Sequence, residues 1–313
     1  ASSGAMGAVA IPGGFELRSA GVLEGGNVDY FDLGSLRSAT SMTTSVELPG
    51  SSALVAGGVR TSLYREGDIA PIASSYGGSL SETIPTNGRY YLAVESPGVN
   101  GRYLELDGVS GVNLGNPVSL QISGSQTLEF WLKPNDFSIR RNPLAKAYGG
   151  EGTMTIETDG TVNYYYGTNG GNAGTYQTIN SLAALRADEW QHLALVRDFS
   201  VNPAVVRWYL NGKLTNEVEA NHNPAVAGGL DFLIGQGYTN SFQGGIDELR
   251  IWNVARNATQ IEAGLTSALS GAEAGLVGYY QFEENGGTAV FDASSQGNDG
   301  ATVGPAAWSG EPS

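Results

Sequence analysis

Apolar residues in this chain recur at every second position, in short runs parted by glycine, asparagine and aspartate, and that period confines the chain to β-structure. Segments 43–48, 59–64, 90–94, 127–132, 154–157, 162–166, 192–197, 205–210, 232–234 and 248–251 all read as strands. Asp159-Gly160 and Asn211-Gly212 offer the positive φ that a two-residue hairpin turn needs, and Asn87-Gly88 does the same ahead of 90–94. Glycine fills 46 of the 313 positions, a content suited to turns and costly inside helices. One stretch, 258–267, has helical character: Ile261 and Leu265 lie four apart, with Thr259 or Asn257 at hand as a cap. The expected class is all-β, two β-sandwiches in series with one short helix.

Charge narrows the partners. The chain has 31 acidic against 16 basic residues, a net charge of −15, and so lacks the basic face that nucleic acid or anionic lipid requires. An excess of acid over a low basic content also suits a protein that works at high ionic strength, where its self-repulsion is screened. There is no cysteine, which removes disulfides, thiolate metal sites and cysteine nucleophiles. No apolar run approaches the roughly 18 residues of a membrane span, so direct membrane insertion is not expected. Residues 1–10 lack the basic start and apolar stretch of a signal peptide. Ser3-Gly4-Ala5-Met6-Gly7 reads as a cloning remnant, so 1–13 is expected to be a scar or linker and the chain a monomeric fragment of something larger.

A break is expected near 96–101, where proline and glycine interrupt any regular element. All five tryptophans lie beyond it. The expected division is a small sandwich over 14–98, a larger one over 99–308, and a tail over 309–313.

In the first piece, GVLEGGNVDYFDL at 21–33 and NGRYYLAV at 87–94 frame a set of alternating strands. This resembles the bacterial pre-peptidase C-terminal domain, with Asn27 standing where that family often has aspartate. The resemblance implies an accessory β-sandwich on a secreted protein and no catalysis. In the second piece YLELDG at 103–108, LEFWLK at 128–133, EWQHLALV at 189–196, WYLNGK at 208–213 and FQGGIDELRIWN at 242–253 follow in order. This resembles the laminin-G-like, concanavalin A-like jelly roll, to which pentraxins are related. Trp131, Trp190, Trp208 and Trp252 lie on or beside alternating strands and are expected to fill the space between two sheets. GLVGYYQFEE at 275–284 and DASSQGNDG at 292–300 are similar to the opening motif of the same family, here placed last. Either these strands fold back to complete the sheets or a second repeat begins; an unpaired sheet edge would be costly, which favours completion.

Catalytic chemistry is sparse. His192 sits in an apolar strand and His222 in a polar loop, and neither has a serine or acid at a triad spacing. Glucanases of this fold carry an E-x-D-x-E strand; Glu157-Thr158-Asp159 lacks the third acid, and Asp247 and Glu248 are adjacent, hence expected on opposite faces of a strand. A non-enzymatic protein is the expectation. Without cysteine, and with isolated histidines, oxygen-ligated calcium is the metal to consider. The resemblance puts Asp107, Asp247, Asp292 and Asn298 at motif positions near strand ends, where a structural calcium ion could tie the C-terminal segment to the sheet; turn-capping by the same side chains is the alternative. The stretch matching the acidic calcium loop of pentraxins, 236–240, has no carboxylate, so a pentraxin-style bridge is not expected.

Binding remains. Sugar recognition needs amide or carboxylate hydrogen bonds and an aromatic face for the C–H side of a ring. Three loops offer these: 148–151, 169–176 and 236–241. Glu151, Asn169, Asn172, Tyr176, Tyr238 and Asn240 are the candidate ligand contacts, the alternative being ordinary turns. In Tyr164-Tyr165-Tyr166 neighbours alternate, so either Tyr165 faces outward or its two neighbours do. The leading expectation is an extracellular adhesion module of a large bacterial surface protein, binding a glycan or a cell-surface protein. A ligand-free spacer and an accessory carbohydrate-binding domain of a secreted hydrolase stand as alternatives.

Overall fold

The computed structural model describes residues 6–11, 14–19, 28–45, 60–68, 71–76, 79–95, 102–171, 173–222, 225–265, 269–284, 286–305 and 307–310. The expected break at 96–101, the 21–27 part of the first motif and the end of the strand expected over 43–48 fall outside these residues. The chain forms two compact units, 1–98 and 99–313.

In the first unit, strands Val28–Leu36, Gly88–Glu95, Arg60–Arg65 and Ala73–Tyr76 form an antiparallel sheet in that order, while Ser41–Ser45 pairs with Ser79–Thr83. Met6–Ile11 and Gly14–Ser19 make a separate hairpin. Leu63, Leu80, Ile84, Tyr90, Leu92 and Val94 form the core. Register slips between Asp32 and Gly34, and Gly34 has φ 71°, a conformation that favours glycine at a bulge. Asp32 stabilises the bulge by accepting the Gly34 N–H at 2.9 Å and pairing with Arg89.

The second unit is a sandwich of two large sheets. The eight-stranded sheet runs Lys213–Glu219, Val205–Leu210, Gln191–Asp198, Gln126–Pro134, Gln243–Trp252, Arg102–Asp107 and Ala307–Gly310, with Leu276–Tyr280 also paired to Gln243–Trp252. The ten-stranded sheet begins at its edge with Tyr176–Asn180, Val162–Gly167, Gly152–Ile156 and Leu144–Ala147, and ends with Gly111–Asn113, Gly300–Val303 and Ala289–Val290. Strand alternation explains the core. Leu128, Phe130 and Leu132 of one sheet point inward with Leu193, Leu195, Val206 and Trp208, meeting Met154, Ile156, Val162, Tyr164, Tyr166 and Ile179 of the other. The C-terminal strands 276–280, 300–303 and 307–310 join both sheets, so the late motif completes the sandwich.

Three of the four tryptophans expected between the sheets lie elsewhere. Trp208 is in the inter-sheet core, and its indole N–H donates to Ile179 O at 3.0 Å. Trp131 and Trp252 have the opposite parity to Phe130 and Ile251 and are buried on the outer face of the eight-stranded sheet: Trp131 against His192, Trp252 against Leu276 and Tyr279. Trp190 is half-buried, edge-on to Tyr103, with the Lys133 ammonium over both rings. Alternation fixes which residues share a face but cannot say that both faces are covered. The covering segment includes the helix Ala258–Gly264, whose cap is Asn257: it accepts the Gln260 N–H at 2.9 Å, and the Gln260 side chain accepts the Asn257 N–H.

Trp208→Ala is expected to destabilise the protein by about 3–5 kcal/mol, the usual cost of deleting a buried aromatic. Trp190→Ala is expected to shift the urea midpoint far less, and equal shifts would show that this assignment of faces is wrong.

Candidate functional site

The ten-stranded sheet carries an aromatic groove on its outer face. Tyr164 and Tyr166 are buried inward, which turns Tyr165 outward, and Thr153, its partner across the ladder, shares that face. Tyr176, on the neighbouring edge strand, lies diagonal to Tyr165 with ring centroids 5.6 Å apart. Two loops close the groove from the other side. Tyr148, from the turn after Leu144–Ala147, sits 5.1 Å from Tyr176 and 5.1 Å from Tyr238. Thr155 lies in the floor, Arg140 and Thr239 at the side, and the space enclosed is about 230 Å³.

Local chemistry fixes each wall. The turn bearing Tyr148 is held by Gly149, where a Cβ would lie 2.3 Å from Ala173 O, so the loops touch only because no side chain intervenes. Asn142 accepts from the Thr239 N–H and hydroxyl at 2.6 and 2.8 Å and donates to Thr155 Oγ1 at 2.9 Å, pinning the Tyr238 loop to the floor. Arg140 Nε and Nη2 donate to the two Glu157 carboxylate oxygens at 2.8 and 2.9 Å, and Nη2 also donates to the Tyr165 hydroxyl at 2.8 Å. Hydrogen bonding to Glu157 raises the Arg140 pKa, so the guanidinium is charged. The groove therefore presents ring faces and hydroxyls, with one cation already neutralised beside it.

Of the candidate contacts read from the sequence, Tyr176 and Tyr238 meet in this groove, 44% and 68% exposed. Asn240 adjoins it, its side chain donating to Arg140 O at 3.0 Å. Asn169 is exposed but closes its own turn through Ala173 O at 2.9 Å. Asn172 lies outside the described residues. Glu151 is a correction: it is buried, with its carboxylate 2.9 Å from Lys146 Nζ and accepting the Gly228 N–H at 2.9 Å, so it braces loops from beneath and faces no solvent. Arg140 carries no signal in the sequence, and Glu157 reads there only as part of an incomplete E-x-D-x-E motif. Tyr148 stood in a flagged loop, but nothing in spacing shows that residues 140 and 157 converge.

The calcium candidates do not form one donor set. Asp292 accepts four hydrogen bonds, from Tyr279 N–H, Ser294 N–H, the Ser294 hydroxyl and Asn298 N–H, at 2.7–2.8 Å. Asn298 Oδ1 accepts from Ser119 at 2.9 Å, and its amide donates to Val277 O at 2.7 Å. These two residues tie the C-terminal segment to the sheet through hydrogen bonds. Asp107 caps its own turn by accepting the Val109 and Ser110 N–H groups at 2.9 and 2.7 Å. Asp247 faces Trp131 across the ladder, buried. No group of three or more His, Asp or Glu placed to hold a metal ion occurs among the described residues, and the Asp292 oxygens are already taken by N–H and O–H donors.

Adjacency of Asp247 and Glu248 does not part them as expected. Glu248 has φ 51° beside a register shift, and its carboxylate reaches Arg250 and Tyr279 at 2.7 and 2.8 Å, both on the outer face that Asp247 also occupies. Burial drives the Asp247 pKa well above its ordinary value, and the neighbouring Glu248 charge adds to that. Burial, with the Arg250 and Arg256 charges, lowers the pKa of His192 to about 3, so its imidazole is neutral.

Residues 106–262, half the chain, match the family described as the concanavalin A-like lectin/glucanases superfamily. No curated protein matches the chain. Among solved structures, a candidate carbohydrate binding protein from Bacteroides ovatus is 16% identical with a TM-score of 0.54, over 91% of this chain and 93% of that one. A heptameric SAP-like pentraxin from Limulus polyphemus is 15% identical, TM-score 0.44, over 68% and 96%. The CBM40 of Ruminococcus gnavus IT-sialidase, bound to α2,3-sialyllactose, is 15% identical, TM-score 0.44, over 51% and 95%. At these identities the likeness is one of fold.

The buried acid gives a pH signature. Because its folded pKa lies above the ordinary 3.8, Asp247 favours the folded state at low pH and loses that contribution as pH rises beyond 3.8. Asp247→Asn, of the same shape and uncharged, is expected to match the parent near pH 4 and to exceed it at pH 7. The gap should widen by about 1.4 kcal/mol per pH unit while only the folded form holds the proton. Urea unfolding at the two pH values reads it, and a variant no more stable than the parent at pH 7 would contradict the protonated state.

Proposed function

We propose, for a chain that belongs to the concanavalin A-like lectin/glucanases superfamily, that the second unit is a non-catalytic glycan-binding module whose ligand lies in the tyrosine groove. The observation that carries this reading is the convergence of Tyr148, Tyr165, Tyr176 and Tyr238 around threonine hydroxyls on one sheet face. A sugar presents an apolar C–H face and a rim of hydroxyls. Tyrosine meets both, with a ring for the first and a phenol for the second, and loses little side-chain entropy in doing so. A volume of about 230 Å³ falls below the ~300–1,000 Å³ of drug-sized ligand sites, which suits the end of a glycan chain. A carbohydrate-binding role also accords with the description given to the Bacteroides ovatus protein of the same fold.

The wider setting belongs to the same proposal. The acidic, cysteine-free composition and the resemblance of 14–98 to an accessory secreted module favour a bacterial extracellular or surface protein, with the glycan on a cell or matrix as partner. Calcium has no part in this reading: the Asp292 oxygens are committed to hydrogen bonds, and no three acids or histidines converge among the described residues. The carboxylates nearest to a glycosidase pair are unsuited to that work: Asp247 is buried and Glu248 is bound by Arg250 and Tyr279.

A glycan array probed with the full chain, with and without chelator, tests the proposal. Binding is expected in both conditions, and Tyr238→Ala or Tyr176→Ala is expected to weaken it about tenfold, or 1.4 kcal/mol, with the thermal midpoint unchanged for the exposed Tyr238. A blank array, or hits indifferent to both substitutions, would remove the groove as a glycan site.

A further inference from the structure

Arg140 is the one charged side chain among the described residues that line the groove, and what holds it decides which sugars the groove admits. A guanidinium beside a sugar site ordinarily selects acidic sugars, because its planar fork matches a carboxylate with two parallel hydrogen bonds. Here that fork is filled from within the chain. The two Glu157 oxygens take Nε and Nη2 at 2.8 and 2.9 Å, the geometry a ligand carboxylate would adopt. Glu157 is itself anchored, with Oε1 accepting from Asn163 Nδ2 at 2.8 Å, and the remaining Nη2 contact goes to the Tyr165 hydroxyl. The pair lies at the surface, with the Arg140 side chain 45% and that of Glu157 21% exposed, and of the two it is Arg140 that lines the groove, with Glu157 behind it.

We propose that Glu157 is a specificity-determining residue that makes the groove select neutral over anionic saccharides, an inference that rests on the glycan-binding reading above. An acidic sugar would have to displace the Glu157 carboxylate from Nε and Nη2 or settle for Nη1 beside it, two like charges competing for one cation either way. A neutral hexose or pentose asks nothing of the guanidinium and uses the rings and hydroxyls as they stand. The net charge of −15 adds a long-range penalty for anionic glycans of every kind.

The test compares neutral with sialylated, uronic and sulfated glycans on one array, followed by titration of the best of each class. The full chain is expected to bind neutral glycans and to leave acidic ones unbound, a comparison that needs no variant. Glu157→Gln keeps the shape and removes the charge. It is expected to raise affinity for acidic relative to neutral glycans by about tenfold, and in an Arg140→Gln background, where no cation is freed and only like-charge repulsion is relieved, the same substitution is expected to raise that ratio by less. Acidic glycans bound as well as neutral ones by the parent chain would overturn this inference while sparing the glycan reading. So would a ratio unmoved by Glu157→Gln in a protein that still melts cooperatively. A chain that binds no saccharide of either class would overturn both.

Discussion

A guanidinium sealed between the two sheets organises the second unit. Arg197 projects inward from Gln191–Asp198 and is fully buried, where an ion without hydrogen bonds would cost many kcal/mol. Its donors are met by Gly124 O at 2.9 Å, Ile122 O at 2.5 Å, Glu151 O at 2.8 Å and the Tyr164 hydroxyl at 3.0 Å. The rings of Tyr166 and Phe199 lie 5.7 and 5.3 Å from the guanidinium carbon. One side chain of the eight-stranded sheet thereby fixes a strand of the ten-stranded sheet and the loops at both sides of it. The cost of leaving any of these carbonyls or the cation unmatched ties the loop positions to the sheet register.

The groove inherits its shape from that tie. Holding Glu151 by its carbonyl, and its carboxylate on Lys146 and Gly228, leaves the turn 148–151 little freedom, and Tyr148 stands at the far side of the same turn. Inward burial of Tyr164 and Tyr166 in turn obliges Tyr165 to face out. Three of the four groove tyrosines are thus set by interactions made inside the sandwich or along its ladder: Tyr148 by the turn, Tyr165 by strand parity, Tyr176 by pairing with Gly167.

This separation explains what could be read from the sequence. Strand positions such as 205–210 and 162–166 follow from an alternation that local burial imposes, and the ordered motifs from 103 to 253 carry the jelly roll. Tyr176 and Tyr238 were within reach because loops rich in glycine and tyrosine are few. What alternation cannot report is whether the second face of a sheet is also covered. For that reason Trp131 and Trp252 were expected between the sheets and lie instead on the outer face. Nor can it foresee a bulge, so Asp247 and Glu248 were assigned to opposite faces when positive φ at Glu248 brings both carboxylates to one. Glu151, Arg140 and Glu157 have no local signature at all: a solvated acid and a buried one have the same letter, and the pairing of 140 with 157 exists only once three strands are in register.

Contacts among the tyrosines decide how the groove would bind. Rings 5.1 to 5.6 Å apart at interplanar angles of 60° to 86° pack tilted or edge to face and support one another before any ligand arrives. Side chains already ordered lose little entropy on binding, which spares roughly 0.5–1.5 kcal/mol for each one that would otherwise have to be immobilised. Among the described residues, the one charge beside the rings, on Arg140, is already balanced by Glu157. A flat, neutral ligand with hydroxyls at its edge is then the chemistry this surface is prepared for, and the Arg140–Glu157 pair keeps it so by balancing charge at the groove without burying it.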